Sequence, residues 1–327
     1  MNYIIIFLLI LSITGGCVAN PSNNALYNKE QPNVEASTKS AIYYHKQGID
    51  FDDKGQYDQA ILDYSQAIKI NPKDAGSYFN RGYVFFEKGQ YDKAISDFNQ
   101  AIDIDAKFSI AYYSRGMIFY NTSQYDKAIP DFDKAIEINP KDAIAHYNRG
   151  LIFYANNQYD RAVSDFNQAI KINPKSAIAY LNRGNAFSNK NQYDQATSDY
   201  AKAIEINPKY AMTYNNKGLI FYKNGQYHRA ISDYGKAIEI NPKFATVYNN
   251  RGLVFYNKGQ YEQAIVDYDK AIEIEPKYAE AYYNRGLLFY AKGQYDRAIS
   301  DYDQAIGVNP KFIIAYVNRG IAFDSKK

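Results

Sequence analysis

Apolar and small residues recur along this chain with a period of 34 residues. Eight near-copies of one unit fill 41–312, and a ninth copy stops halfway, at Lys327. In the fifth unit, Tyr180, Gly184 and Phe187 have the i, i+4, i+7 spacing of one helix face, so positions 1–14 of each unit are predicted to be helical. A unit of this length buries its apolar face only by stacking on neighbours, and this predicts an all-α repeat array.

Each unit contains a second predicted helix after a short break. In the fourth unit Ala162, Phe166 and Ala169 form its apolar stripe, and Pro174 ends it. The break is typically Lys-Gly-Gln, as around Gly89, because glycine readily adopts the left-handed conformation that closes a helix. Two breaks have asparagine in place of this glycine, and asparagine tolerates the same conformation at small cost. These two residues are Asn157 and Asn191.

The order of aromatic and small residues in the sixth unit resembles the tetratricopeptide repeat. The residues that carry the resemblance are Tyr214, Gly218, Phe221, Ala230, Tyr234, Ala237 and Pro242. The resemblance implies antiparallel helix pairs stacked into a right-handed α-α superhelix, with the first helices lining a concave groove. It covers eight repeats: 41–74, 75–108, 109–142, 143–176, 177–210, 211–244, 245–278 and 279–312. The half-repeat over 313–327 is predicted to be a capping helix.

A basic residue and an acidic residue recur at fixed positions, counted from the first residue of each repeat. Arg stands at position 7 in most repeats, and Asp stands at position 23 in all eight complete repeats, as in Arg183 and Asp199. Helical spacing puts each Asp beside the core stripe, where a partly buried carboxylate needs a partner. We therefore expect an Arg–Asp pair between the two helices of each repeat that has the Arg.

An amide and aromatic set recurs on the predicted groove side of the first helices. The candidate binding residues are Asn80, Asn148, Asn182, Asn216, Asn250, Asn284, Asn318, Tyr113, Tyr147, Tyr154, Tyr222, Tyr256 and Tyr290. An Asn amide both donates and accepts, so it can bind the backbone of an extended partner segment without reading its sequence. A similar Asn ladder lines the repeat region of O-linked N-acetylglucosamine transferase. Tyr rings add contact area at low entropic cost.

Three functions remain open for this groove. The first is a protein-interaction scaffold that holds an extended segment or a helix of another protein. The second is an adaptor for envelope polysaccharide, because rows of aromatic rings also stack on sugars. The third is a structural spacer, in which the same Asn and Tyr residues only pack between neighbouring repeats.

Catalysis and nucleic-acid binding are not expected. The three histidines, His45, His146 and His228, occupy three different repeat positions, and the repeats contain neither Cys nor a Gly-rich phosphate loop. No cofactor and no metal site is therefore predicted. The net charge is only +3, and no basic stripe of the kind that binds nucleic acid is present.

The N-terminal segment differs from the repeats. Tyr3–Ile13 is an apolar run of signal-peptide length, so residues 1–19 are predicted to direct export to the periplasm or cell envelope. Gly-Gly-Cys at Cys17 resembles the lipobox of bacterial lipoproteins, which leaves lipid anchoring and ordinary cleavage both open. Membrane contact is expected only through this segment. Residues 20–40 are polar and are predicted to be a flexible linker.

The C-terminal half-repeat lacks a polar outer face. Ile321, Ala322 and Phe323 lie where a terminal repeat needs polar residues for solubility. Either this helix caps the array imperfectly or it packs against another copy of the chain, so self-association is one expectation.

Overall fold

The computed structural model describes residues 32–326, with side chains from residue 40 onward. This described part contains seventeen α-helices and no strand, which confirms the all-α fold class. The helices are α1 (Pro32–Asp53), α2 (Tyr57–Ile70), α3 (Ala75–Glu87), α4 (Tyr91–Ile104), α5 (Ser109–Asn121), α6 (Tyr125–Ile138), α7 (Ala143–Ala155), α8 (Tyr159–Ile172), α9 (Ala177–Asn189), α10 (Tyr193–Ile206), α11 (Ala211–Lys223), α12 (Tyr227–Ile240), α13 (Ala245–Asn257), α14 (Tyr261–Ile274), α15 (Ala279–Ala291), α16 (Tyr295–Val308) and α17 (Ile313–Ser325). Odd-numbered helices are the first helices of the repeats, and even-numbered helices are the second.

The break between the two helices is a left-handed helix cap. Gly89 has a φ of 69°, and the next backbone N–H, of Gln90, donates to the Phe85 carbonyl at 2.8 Å. Asn157 and Asn191 adopt the same conformation, as predicted, with φ of 58° and 59°. Ser123 also adopts it, which the sequence did not indicate, because serine is not a typical residue for that conformation.

A glycine on the first helix allows an aromatic ring of the second helix to approach closely. A Cβ atom added at Gly286 would lie 2.8 Å from the ring of Tyr302, so no larger residue fits. Tyr302 is fully buried, and Ala298 and Ala305 lie one turn away on the same face, also fully buried. The same arrangement joins Gly218 to Tyr234 in the sixth repeat.

The expected Arg–Asp pair is present, and it is bidentate. Arg183 donates from Nε and Nη2 to the two carboxylate oxygens of Asp199, at 2.8 and 2.6 Å. Its remaining nitrogen, Nη1, donates to Asn167 on the second helix of the preceding repeat at 2.6 Å. The guanidinium therefore joins three helices. Equivalent two-pronged pairs are Arg81–Asp97, Arg115–Asp131, Arg251–Asp267 and Arg285–Asp301.

The described chain forms two compact units that divide between Ile152 and Phe153, within α7. In each unit the first helices of successive repeats touch, as α3 touches α5 and α13 touches α15. No comparable contact joins successive second helices among the described residues. Each unit therefore curves with its first helices on the inner side.

The N-terminal boundary differs from the prediction. Helix α1 begins at Pro32, inside the segment 20–40 that was predicted to be a flexible linker. Proline is favourable at the first position of a helix, and no Gly or further Pro follows it before Ala41 to break the helix. The predicted signal segment 1–19 and the lipidation candidate Cys17 lie outside the described residues. Among the described helices, none is both long enough and apolar enough to cross a membrane.

Candidate functional site

The Asn residues at position 6 form a ladder of hydrogen bonds between successive repeats. In the second unit, Asn250 donates to Asn215 at 3.0 Å and Asn284 donates to Asn249 at 2.9 Å. Each acceptor is the position-5 residue of the preceding repeat. The same link appears in the first unit, where Asn148 donates to the Tyr113 hydroxyl at 3.0 Å, and at the C-terminus, where Asn318 donates to the Tyr283 hydroxyl at 3.0 Å.

The position-6 Asn residues differ in how far they are accessible. Asn80, Asn148 and Asn182 are buried, and Asn148 is only 1% exposed. Those that follow in the second unit are half-buried. They are Asn216, Asn250, Asn284 and Asn318. A partner can therefore reach this row chiefly along the first-helix face of the second unit, by which we mean positions 5, 6, 9 and 12 of α9, α11, α13, α15 and α17.

The ladder leaves hydrogen-bonding capacity on the accessible amides. An Asn side chain has two N–H donors and one carbonyl acceptor. In Asn250 and Asn284 one donor is used for the preceding repeat, and no described residue donates to the Oδ1 atom. Each of these amides thus retains one donor and one acceptor, held in a fixed orientation by the bond that it makes.

Two Tyr residues at position 12, Tyr222 and Tyr154, are held at both ends. The ring of Tyr222 stacks on Tyr227 at the start of the second helix, with 6.0 Å between ring centres. Its hydroxyl accepts a hydrogen bond from Asn257 of the next repeat at 2.7 Å. Partial burial raises the pKa of Tyr222, and the bond from Asn257 opposes this shift. Tyr154 has the same two contacts, with the ring of Tyr159 and with the Asn189 amide.

The rings of Tyr256 and Tyr290 occupy the same place and are half-buried, so their faces line the first-helix face at regular spacing. The two predicted Tyr residues at position 5 behave differently. Tyr147 is buried, and Tyr113 supplies the hydroxyl that accepts from Asn148. Both therefore act mainly in packing between helices.

Three Asn residues at positions 5 and 9 also belong to this face, although they were not predicted as site residues. Asn215 and Asn249 are the buried acceptors of the Asn ladder. Asn185 accepts from both the Tyr200 hydroxyl and Asn216, each at 2.8 Å. The sequence signal for the first two was the doubled asparagine in the sixth and seventh repeats, where a second Asn precedes the recurrent one.

One Ser, one His and one Asp meet in the first unit. The Ser77 hydroxyl donates to Asp74 at 2.6 Å and lies 2.7 Å from Nδ1 of His45, while Asp74 lies 3.5 Å from the same nitrogen. A catalytic relay needs the hydroxyl and the carboxylate on opposite ring nitrogens. Ser77 is also fully buried, so the cluster joins α1 to the start of α3 and presents no nucleophile to a substrate. Within 32–326 no group of His, Cys, Asp or Glu is arranged to hold a metal ion.

Comparison with protein families gives matches that run without a gap from residue 51 to residue 312. A model described as TPR repeat matches 51–89, 82–123, 184–225, 218–259 and 252–293. Three models described as Tetratricopeptide repeat match 113–177, 279–312 and 166–197. No curated protein matches this chain.

Several solved structures are similar to this chain. One is the APC/C hetero-tetramer Cut9-Hcn1, with 16% identity, a TM-score of 0.59, and 81% of this chain and 52% of that chain covered. Another is Pseudomonas aeruginosa pilF, with 20% identity, a TM-score of 0.57, and coverage of 67% and 97%. A third is YrrB, described as a TPR protein with an unusual peptide-binding site, with 26% identity, a TM-score of 0.47, and coverage of 58% and 97%.

Proposed function

Because the chain belongs to the tetratricopeptide repeat family, we propose that it is a non-catalytic scaffold that binds an extended segment of another protein along the first-helix face of its second unit. Repeat proteins of this family generally serve as protein-interaction scaffolds. The observation that carries the finer proposal is the fixed amide row. Asn250 and Asn284 each keep one donor and one acceptor after bonding to the preceding repeat.

An extended segment suits this row because its backbone offers N–H and C=O groups at regular intervals. Amides that are already oriented lose little rotamer freedom when they bind, so the entropic cost of ordering them on binding is small. The half-buried rings of Tyr222, Tyr256 and Tyr290 supply apolar area beside the amides. Because these residues hardly change from repeat to repeat, the face favours a long and chemically uniform partner segment.

The proposal is tested with peptides selected on the folded protein from a displayed random library. Asn250→Ala combined with Asn284→Ala should weaken binding of the selected peptide about tenfold or more, since two hydrogen-bonding side chains are lost. The matched control is Asn215→Ala combined with Asn249→Ala. It breaks the same two inter-repeat bonds but removes only buried side chains that a partner cannot reach.

Equal loss of binding in both double variants would show that Asn250 and Asn284 act only in packing between repeats, and it would contradict direct contact of their amides with the peptide. The sugar-adaptor alternative predicts a different result. The protein would bind soluble polysaccharide, Tyr222→Ala and Tyr256→Ala would abolish this binding, and the Asn variants would retain it. If the selected peptides bind all variants with the same affinity, the first-helix face is a structural surface and the spacer alternative holds.

We also propose that the protein is exported and acts in the cell envelope. The support is the apolar run Tyr3–Ile13 followed by Gly-Gly-Cys at Cys17. Mass spectrometry of the mature N-terminus tests this. A diacylated or triacylated Cys17 at the N-terminus would show lipid anchoring, and cleavage after Ala19 would show a soluble exported form. An uncleaved Met1 in cell fractions would contradict export.

A further inference from the structure

Exposed apolar side chains concentrate on α17. Eleven large hydrophobic residues of the described chain are exposed, and six of them lie on this one helix of 13 residues. They are Ile313, Ile314, Tyr316, Val317, Ile321 and Phe323. The equivalent aromatic in the eighth repeat, Phe289, is 2% exposed, whereas Phe323 is 50% exposed.

On α17, the space above Gly320, which we call the slot, is not filled by an aromatic ring. In the preceding repeats of the second unit, a Cβ atom added at the equivalent glycine would lie within 3.0 Å of a Tyr ring on the second helix: 2.7 Å at Gly184, 2.9 Å at Gly218, and 2.8 Å at both Gly252 and Gly286. At Gly320 no atom lies within 4 Å. The position that receives an aromatic ring elsewhere is therefore formed but empty of any described residue.

The guanidinium of Arg319, next to Gly320, has unused hydrogen-bond donors. Arg285 places Nε and Nη2 on the Asp301 carboxylate at 2.8 and 2.7 Å, and its Nη1 reaches the preceding repeat. Arg319 keeps only the third of these bonds, from Nη1 to Asp303. Within the described residues, no carboxylate meets its Nε and Nη2. The planar fork that binds a carboxylate with two bonds is thus held in place and available.

We propose that α17 binds a helix of another protein that carries the pattern Ala-x-x-Asp-aromatic-x-x-Ala. The template is this chain's own α16, in which Ala298, Asp301, Tyr302 and Ala305 lie at i, i+3, i+4 and i+7 and pack on α15. The Asp of the partner pairs with the Arg319 fork, and its aromatic ring enters the slot above Gly320. The two Ala residues allow the helices to approach closely. The two residues that define this site, Arg319 and Gly320, lie at positions 7 and 8 and therefore outside the first-helix face.

A second copy of the chain fits this site less well than a different protein does. In every second helix of both units, the Tyr or Phe at this position is fully or almost fully buried. A second copy has therefore no free helix of this pattern among its described residues. The α17 sequence itself has the reverse order, Phe323 before Asp324, so α17 of one copy does not place an Asp and a ring into the same two sites of another.

The test uses a fluorescent peptide with the sequence of 293–308, which contains the pattern, and fluorescence anisotropy with the full protein. Because a short isolated helix is only marginally stable, the peptide is titrated to the highest soluble protein concentration. We expect the peptide to bind. Its affinity should fall about tenfold, equivalent to about 1.4 kcal/mol, when the residue that corresponds to Asp301 or to Tyr302 is replaced by Ala.

The protein variant Gly320→Leu should reduce binding at least as much, because its side chain fills the slot. It should leave folding intact, since no atom lies within 4 Å of the added carbon. Gly235→Leu is the matched control, because Gly235 also has no atom within 4 Å and lies on α12. Arg319→Gln should weaken binding of the parent peptide but not of the Asp-to-Ala peptide.

Three results would overturn the proposal. The first is no binding at the solubility limit. The second is equal binding by Gly320→Leu and Gly235→Leu. The third is a combination of two observations: sedimentation velocity shows a dimer that Gly320→Leu abolishes, and the peptide does not bind the wild type. This result would show that a second copy of the chain covers α17.

Discussion

Asp199→Ala is expected to destabilise the fifth repeat by about 2–4 kcal/mol. The Asp199 side chain is 7% exposed and accepts two short hydrogen bonds from Arg183, whose side chain is 19% exposed. Breaking a buried ion pair by removing one partner typically costs about 3–5 kcal/mol, because the other charge stays uncompensated. Here the value is lower, since water reaches part of the guanidinium and its bond to Asn167 persists.

The assay follows unfolding in urea by circular dichroism, together with hydrogen exchange of peptides from α9 and α10. Repeat arrays lose stability locally, because each repeat contacts only its neighbours, so a single two-state free energy does not describe them. We expect exchange to rise first in the fifth repeat and in the repeats that flank it. The matched control is Asp160→Ala, since Asp160 is 86% exposed and pairs with Lys190 across a repeat boundary. That change should cost about 0.5 kcal/mol or less.

If Asp199→Ala and Asp160→Ala lower stability by the same small amount, the Arg183–Asp199 pair contributes no more than an exposed ion pair. A further variant separates the penalty of an unpaired charge from the worth of the pair. Replacing both partners with apolar residues, Arg183→Met with Asp199→Leu, should recover at least half of the loss, because no buried charge remains without a partner. A double variant that recovers nothing would show that the loss in Asp199→Ala does not come from an unpaired buried charge.

The remaining predictions concern other repeated positions. Tyr268→Phe should leave stability unchanged or raise it by about 1 kcal/mol in urea melts, because its buried hydroxyl has no partner among the described residues, whereas Tyr200→Phe loses a hydrogen bond and should lower it. Lys217→Arg should bring a bidentate partner to Asp233. Burial raises the pKa of this carboxyl, and Lys217, 3.4 Å away, opposes the shift only through one weak contact. The gain, about 1 kcal/mol at pH 7, should be lost progressively as the pH falls through the raised pKa, because the Asp233 carboxyl of the folded wild type is then protonated and no longer buries an unpaired charge. Pro130→Ser should raise the melting temperature. Proline inside α6 removes one backbone hydrogen bond, and its presence there costs about 1–3 kcal/mol.

Much of the candidate site was visible in the sequence, because each repeat presents the same residue at the same place. The Asn at position 6 and the Tyr at position 12 were identified from their recurrence alone. Their bonding was not, since the partner of Asn250 lies 35 residues earlier in the chain, at Asn215. Only the stacking of one repeat on the next brings the two amides within reach. The same stacking buries Asn148 and leaves Asn284 half-exposed, although the two residues occupy equivalent positions.

The sequence by itself determined the helix pairs, the left-handed turns between them, the glycine-aromatic contacts and the Arg–Asp pairs. These features depend on the spacing of residues within one repeat, and this spacing can be read directly from the sequence. The tertiary structure decided which equivalent residues are covered and which are open. Gly286 and Gly320 follow the same pattern in the sequence, yet one meets the ring of Tyr302 and the other meets no atom within 4 Å. Burial depends on the neighbouring helix, and identical repeats with different neighbours therefore offer different surfaces to a partner.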